Sequence, residues 1–239
     1  MKILSRLKSR LPFLLGVLKP SSFYHQPLWA STTALSDVID TDRVESLRAI
    51  FDVFGSDKAS VHDYHIPYSW ILNQLPNDGV ILEIGIGTNN PNLPSTMGVN
   101  GRPGASLRAW RETKKFLGVI GADIDRECLF TENKISTYYV DQLDLVELAK
   151  FHEQLKSKNN QKFNLIVDDG LHTYNANKNT FETLFPLLDY NGYYVIEDIR
   201  PEFLLPLLRM VENFKSIEVS LWSNPAKGLD NTLIIVRKL

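Results

Sequence analysis

Cysteine is nearly absent from this 239-residue chain: Cys128 stands alone, so neither an internal disulfide nor a cysteine-built zinc cluster can form. A reducing compartment such as the cytoplasm suits it. Charge of one sign is missing too. With 26 Lys and Arg against 28 Asp and Glu, the formal net charge is -2, and no nucleic-acid footprint follows. The apolar run near the N-terminus, Leu11 to Leu18, is cut by Lys19-Pro20 after eight residues and is too short to span a bilayer. Lys2, Arg6, Lys8 and Arg10 precede it. That pattern permits a peripheral contact of residues 1–20 with the inner face of a membrane, or a short helix packed on the domain or a partner subunit. There is no internal repeat, low-complexity tract or second-domain boundary. The expected division is a basic, apolar segment and linker over 1–44, then one large domain over 45–239 with a helical lead-in.

What is present centres on Val80-Ile81-Leu82-Glu83-Ile84-Gly85-Ile86-Gly87-Thr88-Asn89-Asn90. A β-branched apolar run bounded by turn residues reads as a buried parallel strand that breaks into a tight loop. Gly85 and Gly87 carry no Cβ, so a ligand can lie against their backbone. Asn90 stands where a dinucleotide-binding loop would have its third glycine, which weakens a phosphate-cradle reading. The remaining Glu-x-Gly-x-Gly turn resembles motif I of the S-adenosylmethionine-dependent methyltransferases.

Upstream, Asp42 with Glu45 reads as a capping box for a helix over Arg43 to Phe54, which Gly55 ends. A second helix is expected from Pro67 to Leu75. Downstream, Ser106 is placed to start a helix over Leu107 to Lys115. Strands and helices then alternate: Phe116 to Ala122, Ile135 to Val140, helix Leu143 to Lys156, Phe163 to Val167, helix Tyr174 to Leu187, Tyr193 to Ile196, helix Glu202 to Phe214. Such alternation argues for right-handed βαβ units. Ser216 to Trp222 and Asn231 to Val236 are separated by too short a link for a helical crossover, so they form a hairpin. The expected fold is α/β and Rossmann-like: a doubly wound, mostly parallel, seven-stranded sheet with a C-terminal antiparallel hairpin.

Open parallel sheets bind ligands at the carboxyl ends of their strands. Here every such end carries acid: Glu83, Asp123 with Asp125, Asp141 beside Gln142, Asp168-Asp169, and Glu197-Asp198. Asp123 suits a ribose, whose hydroxyls need acceptors, and Asp141-Gln142 can hydrogen-bond an adenine amino group. The two acidic pairs repel each other if their strands are neighbours, unless a cation or a proton intervenes. Hard oxygen ligands suit Mg²⁺, with Ca²⁺ or Mn²⁺ as alternatives. His172, three residues past Asp169, can take a hydroxyl proton near neutral pH.

Glu83-Ile84-Gly85-Ile86-Gly87, Gly104-Ala105-Ser106-Leu107-Arg108-Ala109-Trp110, Gly121-Ala122-Asp123-Ile124-Asp125, Asp141-Gln142, Asp168-Asp169-Gly170-Leu171-His172 and Val195-Ile196-Glu197-Asp198 together resemble the metal-dependent sugar O-methyltransferases of macrolide biosynthesis, the mycinamicin and macrocin group. Phe54-Gly55-Ser56-Asp57-Lys58, with His62 and Tyr64, resembles that group's segment ahead of the first strand. The resemblance implies Mg²⁺ held by Asp169, Glu197 and Asp198, with His172 as general base. It also implies an S-adenosylmethionine site built from Glu83, Gly85, Ser106, Asp123 and Asp141, to which Gly87, Gln142, Lys58, His62 and Tyr64 contribute. The implied partner is a sugar or glycan acceptor, and the implied assembly is a homo-oligomer. Three rivals share parts of this pattern: a methyltransferase of catechols or other small diols, a nicotinamide-dependent oxidoreductase, and an inactive membrane-associated interaction module.

Overall fold

The computed structural model describes residues 40–113, 116, 118–158 and 162–239. The expected membrane-proximal stretch 1–20, most of the linker and the expected helix end at Lys115 lie outside these residues. No helix among the described residues is long and apolar enough to cross a membrane.

Three helices precede the sheet: α1 (Thr41–Phe54), the single turn α2 (Asp57–Ser60) and α3 (His65–Gln74). The cap of α1 is Asp40 and not Asp42, because the Asp40 carboxylate accepts from the backbone N–H groups of Asp42 and Arg43. Gly55 closes the helix in the left-handed conformation, φ 76°, as its lack of a Cβ allows. α1 therefore runs through the expected boundary at residue 44.

The sheet has eight strands: β1 (Val80–Ile84), β2 (Gly118–Asp123), β3 (Thr131–Glu132), β4 (Ile135–Tyr139), β5 (Phe163–Asp168), β6 (Leu188–Ile196), β7 (Ile217–Ser223) and β8 (Thr232–Lys238). Their order is β3-β4-β2-β1-β5-β6-β8-β7. β4, β2, β1, β5 and β6 are parallel, while β8 and β7 close one edge antiparallel. The expected doubly wound sheet and C-terminal hairpin hold. The eighth strand is the two-residue β3, antiparallel to β4 and too short to show a period-2 signal. Crossovers run through α4 (Ala105–Thr113), α5 (Leu145–Lys158), α6 (Tyr174–Leu184) and α7 (Pro201–Val211).

Successive strand side chains point to opposite faces, and this alternation sorts the sheet into two cores. Ile81, Leu165, Val167 and Val195 pack with Phe51, Tyr68 and Trp110 on the side of α1, α3 and α4. Leu82, Ile84, Ile166 and Ile196 pack with Phe151, Phe181 and Leu207 on the other side. Burying both faces of β1 requires the near-continuous apolar run seen in its sequence. The same parity decides where the acids go. Glu83 and Glu197 share the face of Ile81 and Val195, whereas Asp168 shares the face of Ile166.

Candidate active site

β1 is the strand from which the chain departs to β2 on one side and, later, to β5 on the other. Sheets of this kind open a crevice at that switch point. A cavity of about 390 Å³ lies there, lined by residues following β1, β2, β4, β5 and β6 together with Ser56, Asp57 and Lys58 of the lead-in segment.

Gly85, Gly87, Ser106, Asp123, Asp141, Gln142, Lys58, Asp169, His172 and Asp198 line this cavity. Glu83, Glu197, His62 and Tyr64 are not among its lining residues. For the two glutamates the reason is strand parity, which turns them into the α1/α3/α4 layer. Glu83 Oε2 accepts from the Trp110 indole N–H at 2.7 Å, and Oε1 lies 3.3 Å from Lys58 Nζ. Glu197 Oε1 accepts from the Tyr68 hydroxyl, and Oε2 from Lys58 Nζ at 2.7 Å.

Both glycines are required by the chain itself. Gly85 has φ 82°, and a Cβ there would strike the Asp169 carbonyl; Gly87 has φ 86°, and a Cβ would strike the Met97 sulfur. The segment carrying Met97 is folded back by Met97 N–H to Thr88 O at 2.8 Å and by Asn89 Nδ2 to the carbonyls of Gly98 and Gly101. It walls the cavity with Pro94, Ser95, Thr96 and Met97.

Asp123 is fixed by backbone donors, accepting from Ile86 N–H and Asp125 N–H, both at 2.9 Å. Burial holds its carboxyl above the usual range. Asp141 accepts from Leu143 N–H at 2.8 Å. Gln142 has a different occupation from the expected adenine contact. Its amide donates to Asp168 and Thr180 at 2.7 and 2.9 Å, and its oxygen accepts from Leu171 N–H at 2.8 Å. With these bonds made, its side chain is committed to holding the turn that carries His172.

Asp169, His172 and Asp198 each offer one ligand atom, and these atoms all lie within 4.8 Å of one another. His172 Nε2 stands 3.8 Å from Asp169 Oδ1 and 4.0 Å from Asp198 Oδ2. His172 and Asp198 both sit in the left-handed region, φ 54° and 51°, where side-chain-bearing residues are uncommon and often functional. Asp198 accepts from the Tyr64 hydroxyl, with His62 Nδ1 at 3.6 Å and the His62 ring stacked on Tyr64. Tyr64 and His62 thus support Asp198 from behind.

Lys58 joins the strand ends. Its ammonium, only 2% exposed, also contacts Asp169 Oδ2 at 2.6 Å. Burial alone would lower its pKa, but Asp169, Glu197 and Glu83 outweigh it and hold the proton firmly. Burial, then Asp169, raises both Glu197 and Asp198. Three carboxylates, Glu83, Asp169 and Glu197, surround this one ammonium, and a fourth, Asp198, lies beyond it beside His172. That surplus of anions, opening on the cavity at Asp169 and Asp198, fits a further cation. His172 Nδ1 is buried with no hydrogen-bond partner among the described residues. Tyr68 lies in no motif and Trp110 only closes the Gly104 to Trp110 run; the signal that either would meet a buried acid is a large aromatic with a polar atom that burial obliges to find a partner.

No family model matches the chain. It is 26% identical over 178 residues to the 8-demethyl-8-alpha-L-rhamnosyl tetracenomycin-C 2'-O-methyltransferase of Streptomyces olivaceus, covering 74% of this chain and 44% of that protein. Demethylmacrocin O-methyltransferase of Streptomyces fradiae is 31% identical over 145 residues, 59% of this chain and 32% of that protein. The chain spans less than half the length of these curated relatives. Among solved structures, the MycE methyltransferase from the mycinamycin biosynthetic pathway, in complex with Mg, SAH and mycinamycin VI, matches with TM-score 0.60 at 21% identity. That match covers 80% of this chain and 54% of MycE. In sequence, then, the chain resembles sugar O-methyltransferases that include the macrocin group, and in fold it is a Rossmann-like α/β protein of the kind seen in MycE.

Proposed function

We propose that this chain is an S-adenosylmethionine-dependent, Mg²⁺-dependent O-methyltransferase that acts on a sugar hydroxyl. The observation that carries the reading is the Asp169, His172 and Asp198 cluster opening into a cavity at the switch point of the sheet. The similarity to a relative named as a rhamnosyl tetracenomycin-C 2'-O-methyltransferase, and to one named as an O-methyltransferase of demethylmacrocin, supports it.

In this reading Asp123 accepts from the ribose, since each of its oxygens keeps a lone pair beyond the backbone bond it already makes. Ile124, Leu143 and Met97 give the cavity apolar wall for the adenine ring. When bound, the metal and cofactor supply a Lewis acid for the acceptor oxygen and an activated methyl group. Asp169 and Asp198 hold the ion. His172 Nε2 takes the hydroxyl proton, and it stands 3.8 Å from Asp169 Oδ1 and 4.0 Å from Asp198 Oδ2, beside the acids that hold the ion. Tyr64 and His62 keep Asp198 in place, so the acceptor is oriented by groups that do not have to move.

The polar side of the cavity near the acids, Ser56, Asp57 and Lys58, suits a sugar better than the flat ring of a catechol. Asn90 in place of a third glycine and the metal-fitting acids weigh against a nicotinamide oxidoreductase, and the built cavity weighs against an inactive module. The acceptor is a natural product or a surface glycan. The basic, apolar residues 1–20 support a cytoplasmic protein peripheral to the inner face of the membrane, and the resemblance supports a homo-oligomer.

The test is methyl transfer from S-adenosylmethionine to a panel of deoxyhexosyl and rhamnosyl acceptors, with Mg²⁺ or with EDTA, read by mass spectrometry. A mass gain of one methylene that EDTA abolishes is the expected outcome. If no acceptor is modified and S-adenosylhomocysteine does not bind in calorimetry, the reading is wrong.

A further inference from the structure

The turn between β7 and β8 reaches back into the lead-in segment through one buried side chain. Asn231, 1% exposed, stands just before β8, and the β7–β8 ladder closes at Ser223 opposite Thr232 without using its amide. Its Nδ2 donates to two carbonyls, His62 O at 3.0 Å and Asn224 O at 3.2 Å. Carbonyls only accept, so the amide cannot be turned over, and its oxygen faces His62 Nδ1 at 3.1 Å. An amide oxygen also only accepts. His62 Nδ1 therefore carries a proton, and the edge of the ring 3.6 Å from Asp198 Oδ1 is an N–H and not a lone pair.

We propose that Asn231 is a positioning residue for the acid site: it orients His62 so that the imidazole faces Asp198 with an N–H, and so aims the carboxylate that takes the metal. This inference rests on the metal reading of the site and deepens it. In the other tautomer a ring lone pair would meet both the Asn231 amide oxygen and the Asp198 carboxylate, and the acid would be pushed from its place. Asp198 needs support, because it sits in the left-handed region at φ 51°. Its Oδ1 also accepts from the Tyr64 hydroxyl, while its Oδ2 stands 4.0 Å from His172 Nε2. The hairpin is tied to both flanks of this acid. On one side Ile199 N–H donates to Thr232 O at 3.1 Å, and on the other Asn224 Nδ2 donates to Asp63 Oδ2 at 3.0 Å. Groups one step removed from a ligand govern metal affinity because they decide how that ligand is aimed.

The experiment is a Mn²⁺ titration of the full chain without cofactor or acceptor, read by the electron paramagnetic resonance of the free ion. Asn231→Ala, Asn231→Ser, His62→Phe and the double variant Asn231→Ser with His62→Phe are compared with the parent. His62→Phe keeps a ring to stack on Tyr64 and removes the N–H. Asn224→Ala is the control, since it loosens the same hairpin at Asp63 without touching the imidazole. The Asn231 variants and His62→Phe should each weaken Mn²⁺ binding by about tenfold or more. Because Asn231 acts through His62, the double variant should bind no more weakly than His62→Phe alone, whereas a general loosening of the fold would add to it. Asn224→Ala should lower thermal stability and leave Mn²⁺ affinity near that of the parent. S-adenosylhomocysteine affinity, measured by calorimetry, should stay within about threefold of the parent in every variant, since neither Asn231 nor His62 lines the cavity. Folded Asn231 variants that bind Mn²⁺ as the parent does, or losses at the two positions that add, overturn the proposal and leave the metal reading intact. Failure of every variant at 231 and 62 to fold also overturns it, because the pair then serves the core alone. If the parent binds S-adenosylhomocysteine but no Mn²⁺, the metal reading fails and takes this proposal with it.

Discussion

Gly85 and Asp169 approach each other so closely that a Cβ on residue 85 would fall well inside van der Waals contact of the Asp169 carbonyl oxygen. The neighbouring bond, Asp169 N–H to Ile84 O at 2.8 Å, stitches the carboxyl ends of β1 and β5 together at this point. The first glycine of the turn is thus required by the meeting of two strands, whatever it offers a ligand in the cavity it also lines.

Gly85→Ala should therefore damage the fold before it damages binding. The alanine would need both a positive φ and a parting of β1 from β5, so a loss of about 3 kcal/mol or more is expected. Denaturant unfolding measures it. A loss below about 1 kcal/mol would mean that the strands relax around the methyl group, against the close packing of such interiors.

Trp110→Phe is expected to cost about 1–3 kcal/mol, because it leaves the buried Glu83 carboxylate without the indole donor it accepts from at 2.7 Å. The ring volume is largely kept, and neither residue lines the cavity. Affinity for S-adenosylhomocysteine, measured by calorimetry on the folded variant, should stay within about threefold of the parent. A selective loss of affinity with unchanged stability would place Glu83 in the ligand site after all.

His172→Ala should lower turnover by about a hundredfold or more while leaving cofactor affinity nearly unchanged, as expected when a general base is removed from a site that still assembles. Single-turnover methyl transfer at saturating acceptor is the measurement. Activity close to that of the parent would remove the imidazole from the reaction.

Cys128 offers a pH test apart from the Asp169, His172 and Asp198 cluster. Burial, helped by Asp123 and Asp125, pushes its thiol up to about 12. Its Sγ–H donates to Asp125 O at 3.1 Å. The folded chain therefore keeps a proton that the unfolded chain gives up from its ordinary pKa, 9.0, upward, so this stabilisation is complete below that pH and is lost as the pH rises toward 12. Between pH 7 and pH 10 the parent should lose about 1–2 kcal/mol more than Cys128→Ala, the tyrosines raised by burial affecting both alike. Parallel stability curves for the two proteins would contradict this. Thiol reagents at pH 8 should label Cys128 only upon unfolding.

Much of the architecture is legible in the residues because it rests on local rules. The alternation of apolar runs with amphipathic stretches, and the short link before the last strand, lead to the observed sheet with its hairpin. Where expectation and structure part, the cause is a contact remote in sequence or a signal too short to carry a period. Asp40 caps α1 in place of Asp42, since both acids have the right chemistry and only backbone geometry chooses between them. Gln142 looks free to read a base, yet Thr180, Asp168 and Leu171 use its whole amide.

Sequence alone determined which chemistry is available here: acid at the end of each parallel strand, a histidine three residues past one acidic pair, and a lysine ahead of the first strand. These are properties of residue type and strand parity, and they survive any error in the exact bounds of an element. Tertiary structure decided which acids meet. Because side chains alternate across a strand, Glu83 and Glu197 turn inward to Lys58, Tyr68 and Trp110, while Asp169 and Asp198, in the turns that follow, face the cavity with His172. Only the packing of α2 and α3 against those strand ends supplies the buried ammonium and hydroxyls, and no spacing along the chain encodes a meeting between residues more than a hundred positions apart.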